Sequence, residues 1–138
     1  MQHLMRRTLT LAGCVTMGAW LAGGAAAQQK QILIGSQCDR TGPTQLVGTV
    51  FCPAVQDYVN LINSQGGVDG YKVVINELDN NYQVPPAIEE YERHRQQGAV
   101  STLIWGTPQA AALNPRLEKD HIPGTSPGFG SAAAANGA

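Results

Sequence analysis

The sequence has little charge, few aromatic residues and almost no catalytic nucleophile chemistry. Only 14% of its 138 residues are Asp, Glu, Lys or Arg, and only 6% are Phe, Trp or Tyr. Seven basic residues against ten acidic ones follow Ala27, so that part carries a formal charge of −3 and no basic stripe. Nucleic-acid binding therefore has no electrostatic footprint. There are three histidines, and His94 and His121 are the only two after Ala27. One carboxylate a helical turn away, Glu90 beside His94, does not make a metal set without a third ligand. Both histidines are expected on the solvated surface, and Glu89, Glu90 and Glu92 read as a charged helix face. No P-loop is present. Gly128 to Ala133 fits a loose G-x-G-x-x-A pattern, but it follows the fourth predicted strand and no βαβ unit comes after it. No cofactor and no metal are expected.

Only three cysteines occur, and they bear on compartment. Arg6 and Arg7 open a short basic region, Thr8 to Ala22 is mostly apolar and uncharged, and Ala25-Ala26-Ala27 offers small residues for cleavage. This predicts an export signal over 1–27, cleaved after Ala27, with residues 28–138 as the mature part. The apolar run is too short and too interrupted to span a membrane. Leu11-Ala12-Gly13-Cys14 offers the alternative of a lipid anchor at Cys14, although only three residues separate it from Arg7. Cys38 and Cys52 remain after cleavage. An oxidising compartment permits a disulfide closing a loop of about 15 residues, with about 3 kcal/mol of stabilisation. Two free thiols are the other reading, because spacing alone does not show that the Cα atoms approach closely enough.

The residues that are present alternate between strand and helix patterns. Gln31–Ser36 is a short apolar strand, followed by a loop from Cys38 to Thr44. The next helix spans about 45–64, with Phe51, Val55, Tyr58, Val59 and Ile62 on one face. Pro53 is expected to restrict its regular part to the residues that follow. Gly66-Gly67 ends the helix with positive φ, Val68-Asp69-Gly70 turns, and Tyr71–Leu78 is a second strand. An extended lead-in through Val84-Pro85 precedes a helix over 86–97, with Ala87, Ile88 and Tyr91 inward and Glu89–Arg93 as an outward pair. Ala99–Trp105 is a third strand. A third helix covers about 109–120 with a break at Asn114-Pro115, and a fourth strand starts within His121–Ser126. The fold class is α/β, a parallel sheet with helices on both faces in flavodoxin-like order.

If the strand order is 2-1-3-4, ligands gather outside the carboxyl ends of strands one and three. The loops there contain Thr41, Thr44, Thr107 and Gln109, with Ser126 nearby. Amides opening the third helix, from Gln109 and Ala110, are suited to an anion. Trp105 reads equally as a pocket wall or a core residue. Asp39 reads as a turn-former rather than the partner of a nucleophile.

Several segments together resemble one known family. They are ILIG at 32–35, TGP at 41–43, YVNLINSQGGVDGYKVVI at 58–75, ELDNNYQVPPAIEEYER at 77–93, LIWGTPQAAALNP at 103–115 and HIPGTSP at 121–127. The chain resembles the amino-terminal part of periplasmic substrate-binding proteins of ABC transporters, in the branched-chain amino acid group. That resemblance implies a non-catalytic protein of the periplasm. It would capture a small polar solute, an amino acid or amide, between two α/β lobes and hand it to a membrane permease. It places ligand contacts near Val47, Gln109, Ala110, Gly128 and Gly130. Where leucine binders carry Ser or Thr in the third and fourth loops, Ala110 and Gly130 stand here, and Val47 stands where an aromatic is frequent. The tail Ser131–Ala138 does not continue the family pattern, so a truncated first lobe is expected. An extracellular sensor lobe of a receptor and a small exported hydrolase are the alternative functions.

Overall fold

A computed structural model of the chain describes residues 30–128 and residue 130. The signal segment, Cys14, and the Phe129 and Ser131–Ala133 positions of the glycine pattern lie outside the described residues.

β1 (Gln31–Cys38), α1 (Gln45–Ser64), β2 (Lys72–Asp79), α2 (Val84–Gln96), β3 (Ser101–Leu103), α3 (Thr107–Asp120) and β4 (Gly124–Thr125) follow in that order. The strands form one sheet in the order β2-β1-β3-β4, and every pairing is parallel. β1 is central, pairing along its whole length with β2 and through Ile34–Ser36 with β3. Successive side chains of β1 point to opposite faces. Gln37 donates its amide to the Ala87 carbonyl of α2 at 2.7 Å, whereas Cys38 is bonded to Cys52 of α1. Helices thus cover both faces, α1 on one and α2 with α3 on the other. The larger core cluster lies under α2 and α3, built on Tyr91, Ile104, Ala110, Leu113 and Leu117. A smaller one, Cys38, Cys52 and Trp105, lies under α1 near the carboxyl ends of the strands.

Both prolines expected to interrupt helices are absorbed. α1 runs unbroken through Pro53, and α3 through Pro115. Each proline withholds one donor from the carbonyl four residues earlier. Those residues, Thr49 and Ala111, are exposed, so water can take the donor's place. Thr107 and Pro108 belong to the first turn of α3 rather than to a loop. Cys38 is the last residue of β1, not the start of the loop. The double glycine behaves as its sequence implies, with φ of 106° at Gly66 and 78° at Gly67. Gly67 is also compelled by packing, because a Cβ there would fall on the Tyr71 carbonyl oxygen.

Three side-chain expectations are corrected. Tyr58 is 63% exposed rather than inward, because α1 packs through Cys52 and Val59, a narrower stripe than its apolar content. His94 and Glu90 are buried on the inner face of α2, not solvated. Their positions complete the i, i+3, i+4, i+7 face with Ala87 and Tyr91, and His94 fits only because β1 offers Gly35 beneath it. The ion pair formed within α2 is Glu92–Arg95 at 2.8 Å, not Glu89–Arg93.

Candidate functional site

A cavity of about 350 Å³ opens at the carboxyl ends of β1 and β3. This is the place where the chain's winding reverses, between a strand that connects to its left and one that connects to its right. Thr44, Val47 and Phe51, at the start of α1, form one side. Trp105, Gly106 and Thr107, where β3 runs into α3, form the other. Tyr82 follows β2, while Pro127 and Gly128 follow β4, and these close the ends. Among the described residues, no charged side chain lines the cavity.

The walls are set by buried polar groups behind them. Asp39 is wholly buried at the end of β1. Its carboxylate accepts the Gly42 amide, the Thr44 amide at 2.7 Å and the Thr44 hydroxyl at 2.6 Å. This makes the loop a tight turn into α1, in keeping with a turn-forming role. The Thr44 oxygen in turn accepts the Trp105 indole N–H at 2.8 Å. Trp105 is therefore held edge-on to the loop. Its ring meets Phe51 with centroids 5.5 Å apart, tilted by 57°. It is at once a core residue, packed on the disulfide, and a pocket wall.

Asn80 does comparable work from the end of β2. It donates to the Trp105 carbonyl at 3.0 Å and to Gln37 Oε1 at 3.3 Å, and accepts the Tyr82 amide at 2.9 Å. Three strand ends are tied through one buried side chain. Asn81 and Tyr82 both have positive φ, 49° and 54°. That turns the Tyr82 ring toward the cavity, where an extended chain was expected. Such values are uncommon for an aromatic residue, and nothing in the identity of Tyr82 signals them. Phe51, by contrast, stands one helical turn from Val47 and could have been found by spacing alone.

The expected binding residues divide into several groups. Val47, Thr107 and Gly128 line the cavity. Gly130 packs on the Thr107 side chain, and the Ser126 hydroxyl accepts the Gly128 amide at 3.1 Å, shaping that loop. Thr41 lies outside the lining and donates to Asp79 Oδ2 at 2.8 Å. Ala110 is part of the core beneath α3, and its amide is already given to the Gly106 carbonyl. Gln109 is wholly buried, and neither atom of its amide has a hydrogen-bond partner among the described residues. It lies directly under Gly106, where a Cβ would strike its side-chain oxygen. Gly106 has φ of 104°, and α3 begins after it with neither a capping side chain nor an acid in the first turn. Gly106 and Thr107, at that helix start with its partial positive charge, line the cavity.

Cys38, Cys52 and Glu77 are close enough together to suggest metal ligands. The two sulfurs are spent on each other, and Glu77 is paired with Arg40. The disulfide also leaves Cys38 without a nucleophilic thiol.

The fold is shared with known proteins. Residues 31–137 match the family model described as periplasmic binding protein. The chain belongs to the periplasmic binding protein family. The fatty acid ABC transporter substrate-binding protein of Thermomonospora curvata is 25% identical, with a TM-score of 0.67, over 71% of this chain and 25% of its own. The branched-chain amino acid transporter substrate-binding protein LivJ of Streptococcus pneumoniae, solved with isoleucine, is also 25% identical, with a TM-score of 0.66 over 72% and 29%. A type 1 periplasmic binding protein of Bordetella pertussis shares the fold with a TM-score of 0.70 at 23% identity, over 78% and 30%. No curated protein sequence matches the chain significantly. The chain spans about a quarter to three tenths of the length of these solved structures. As a periplasmic binding protein it has the parallel sheet and helices of a type I lobe. Among its described residues, no helix is long and apolar enough to cross a membrane.

Proposed function

We propose that the chain is part of the solute-binding component of an ABC transporter. It acts in the periplasm, captures a small solute of the amino-acid or amide class without chemical change, and presents it to a membrane permease. The observation that carries this reading is the cavity at the carboxyl ends of β1 and β3, with aromatic walls and an uncapped helix start. Small-molecule sites combine mostly apolar walls with a few placed polar groups in this manner. Thr107 supplies a hydroxyl, Gly128 backbone, and Val47, Phe51 and Trp105 the apolar surface. Binding rather than turnover is supported by the state of the acidic groups at the ends of β1 and β2. Asp39 is fully hydrogen-bonded to its own loop, and Asp79 accepts from the Arg40 amide, the Thr41 hydroxyl and the Asn81 amide. Neither is poised as a general base.

The test is an amide chemical-shift titration of the isotopically labelled chain with a panel of amino acids, their amides and short carboxylic acids. Saturable shifts at Gly106, Thr107 and Gly128 from at least one member are expected. Shifts from none of them at millimolar concentration, or shifts confined to residues far from the strand ends, would remove the reading.

A further inference from the structure

We propose that this cavity recognises a quaternary ammonium head, held against the aromatic walls of Phe51, Tyr82 and Trp105. Within the amino-acid class, an N-trimethylated amino acid is then preferred to its free-amine parent. The inference rests on the solute-binding reading above and narrows its ligand class. Two features of the site carry it.

The first is where the aromatic rings gather. Only 6% of the chain is aromatic, yet Phe51, Tyr82 and Trp105 all line this one cavity. They come from α1, from the turn after β2 and from the segment joining β3 to α3, so the fold brings them together. Phe51 and Tyr82 are only half-buried and keep ring surface available. The Phe51 and Trp105 rings are inclined by 57° with centroids 5.5 Å apart, so neither covers the other face to face. Tyr82 packs on the same cluster and lies against Gly106, where a Cβ would come within 2.9 Å of its ring. Aromatic faces are electrostatically negative, and several of them around one site attract a cation. A primary ammonium must give up its hydrogen bonds to water on entering such a site. A quaternary ammonium has no N–H to strip of water, and its methyl groups carry the charge to the rings.

The second feature is how Trp105 is bonded. Its indole N–H donates to the Thr44 hydroxyl at 2.8 Å, and that hydroxyl donates at 2.6 Å to the carboxylate of the wholly buried Asp39. Hydrogen bonds in such a chain polarise one another in a low-dielectric interior. The carboxylate draws the hydroxyl proton toward itself and leaves the Thr44 oxygen a stronger acceptor. The indole N–H is polarised in turn, and electron density rises over the ring. A tryptophan already offers the best of the aromatic faces to a cation. One tied to a buried anion prefers a cation to a neutral group of the same shape.

Three probes that share a carboxylate isolate the ammonium head. They are N-trimethylglycine, glycine, which lacks the methyl groups, and 3,3-dimethylbutanoate, which has carbon in place of the charged nitrogen. Each is titrated into the isotopically labelled chain while the Gly106, Thr107 and Gly128 amides and the Trp105 indole N–H are followed. Salt at about 0.15 M screens the net charge of the chain. N-Trimethylglycine is expected to bind tightest, by about tenfold over each of the others. Tyr82→Leu keeps an apolar wall but removes a ring, and should cut the preference over 3,3-dimethylbutanoate about threefold. Tyr82→Phe should preserve it. Glycine or 3,3-dimethylbutanoate binding as tightly as N-trimethylglycine overturns this inference but leaves the solute-binding reading intact. So does a Tyr82→Leu chain in which N-trimethylglycine and 3,3-dimethylbutanoate weaken equally. If none of the three shifts the strand-end amides while another amino acid or amide does, this inference alone falls. If no solute does so, both fall.

Discussion

Asn80 shows how much one residue can hold. Its amide joins the ends of β1, β2 and β3 and fixes the left-handed turn that presents Tyr82. Asn80→Ala strands the buried Trp105 carbonyl, at a cost of about 1–3 kcal/mol. It should lower the urea midpoint by a corresponding amount and weaken solute binding through the freed Tyr82. An unchanged midpoint would show that the tie is dispensable.

Glu90 and His94 carry opposite pH dependences. Burial, with the Asp79 charge secondary, pushes the Glu90 carboxyl up to about 7, from 4.5 when unfolded. The folded state then holds a proton the unfolded state has lost, so this group's contribution falls as pH rises from 4.5 through about 7. Burial, helped by Arg93, holds His94 below its ordinary 6.5. Here the unfolded state takes the proton first, so stability falls as pH drops below 6.5. Just below 6.5 the two slopes oppose each other. Glu90→Gln should therefore make the urea midpoint rise more steeply with pH across that window than in the parent chain. His94→Leu should make it fall. Parallel profiles for all three chains would refute the assignment. The spacing of 87, 90, 91 and 94 was legible as one helix face. The polar identity of two members was what pointed, misleadingly, to solvent.

At the scale of elements, the disulfide and Gly48 seat α1 on β1. Cys38 and Cys52 lie with Cα atoms 6.4 Å apart, and Gly48 touches the Asp39 backbone so closely that a Cβ would fall on its carbonyl oxygen. Replacing both cysteines by Ala should remove about 3 kcal/mol through the unfolded chain and shift the Trp105 emission, since the sulfurs pack on that ring. Loss of stability without any spectral shift would indicate that Thr44, Asn80 and Phe51 hold Trp105 without the sulfurs. Gly48→Ala has no unfolded-state benefit large enough to offset the collision. It should cost about 1–3 kcal/mol, read by the same denaturation measurement.

Element order was legible because alternation and the double-glycine turn report directly on backbone conformation, whereas the strand order entered the sequence reading as an assumption that the sheet bears out. Continuity through Pro53 and Pro115 was not, because it depends on Thr49 and Ala111 facing water, which only the packed helix reveals. The site was half-legible for a similar reason. Strand ends place Thr107 and Gly128 by topology alone, whereas Gln109 and Ala110 sit one helical step too deep, inside α3 rather than before it.

At the scale of the whole molecule, much of α1 has no partner among the described residues. Leu46, Val50 and Leu61 are 79%, 71% and 51% exposed, and with Tyr58 they form a second apolar stripe on the helix face turned from the sheet. β2 and β4 are the sheet's two edges among the described residues. β2 is the longer, with Lys72 at its start, Glu77 (paired with Arg40) and Asp79 at its end, and an uncharged stretch between. An apolar stripe beside an unpaired edge is an association hazard in any chain that exposes both. The chain is accordingly expected to self-associate at micromolar to millimolar concentration, with sedimentation showing a rising mean mass. Val50→Lys with Leu61→Lys interrupts the stripe without touching the cavity lining, and surface changes of this kind leave folding stability within about 0.5 kcal/mol. The double variant should sediment as a monomer and retain the solute-induced shifts at Gly106 and Thr107. If it still associates, the contact runs through the β2 edge instead. A Lys placed on the solvent face of that strand would then be the substitution that restores the monomer.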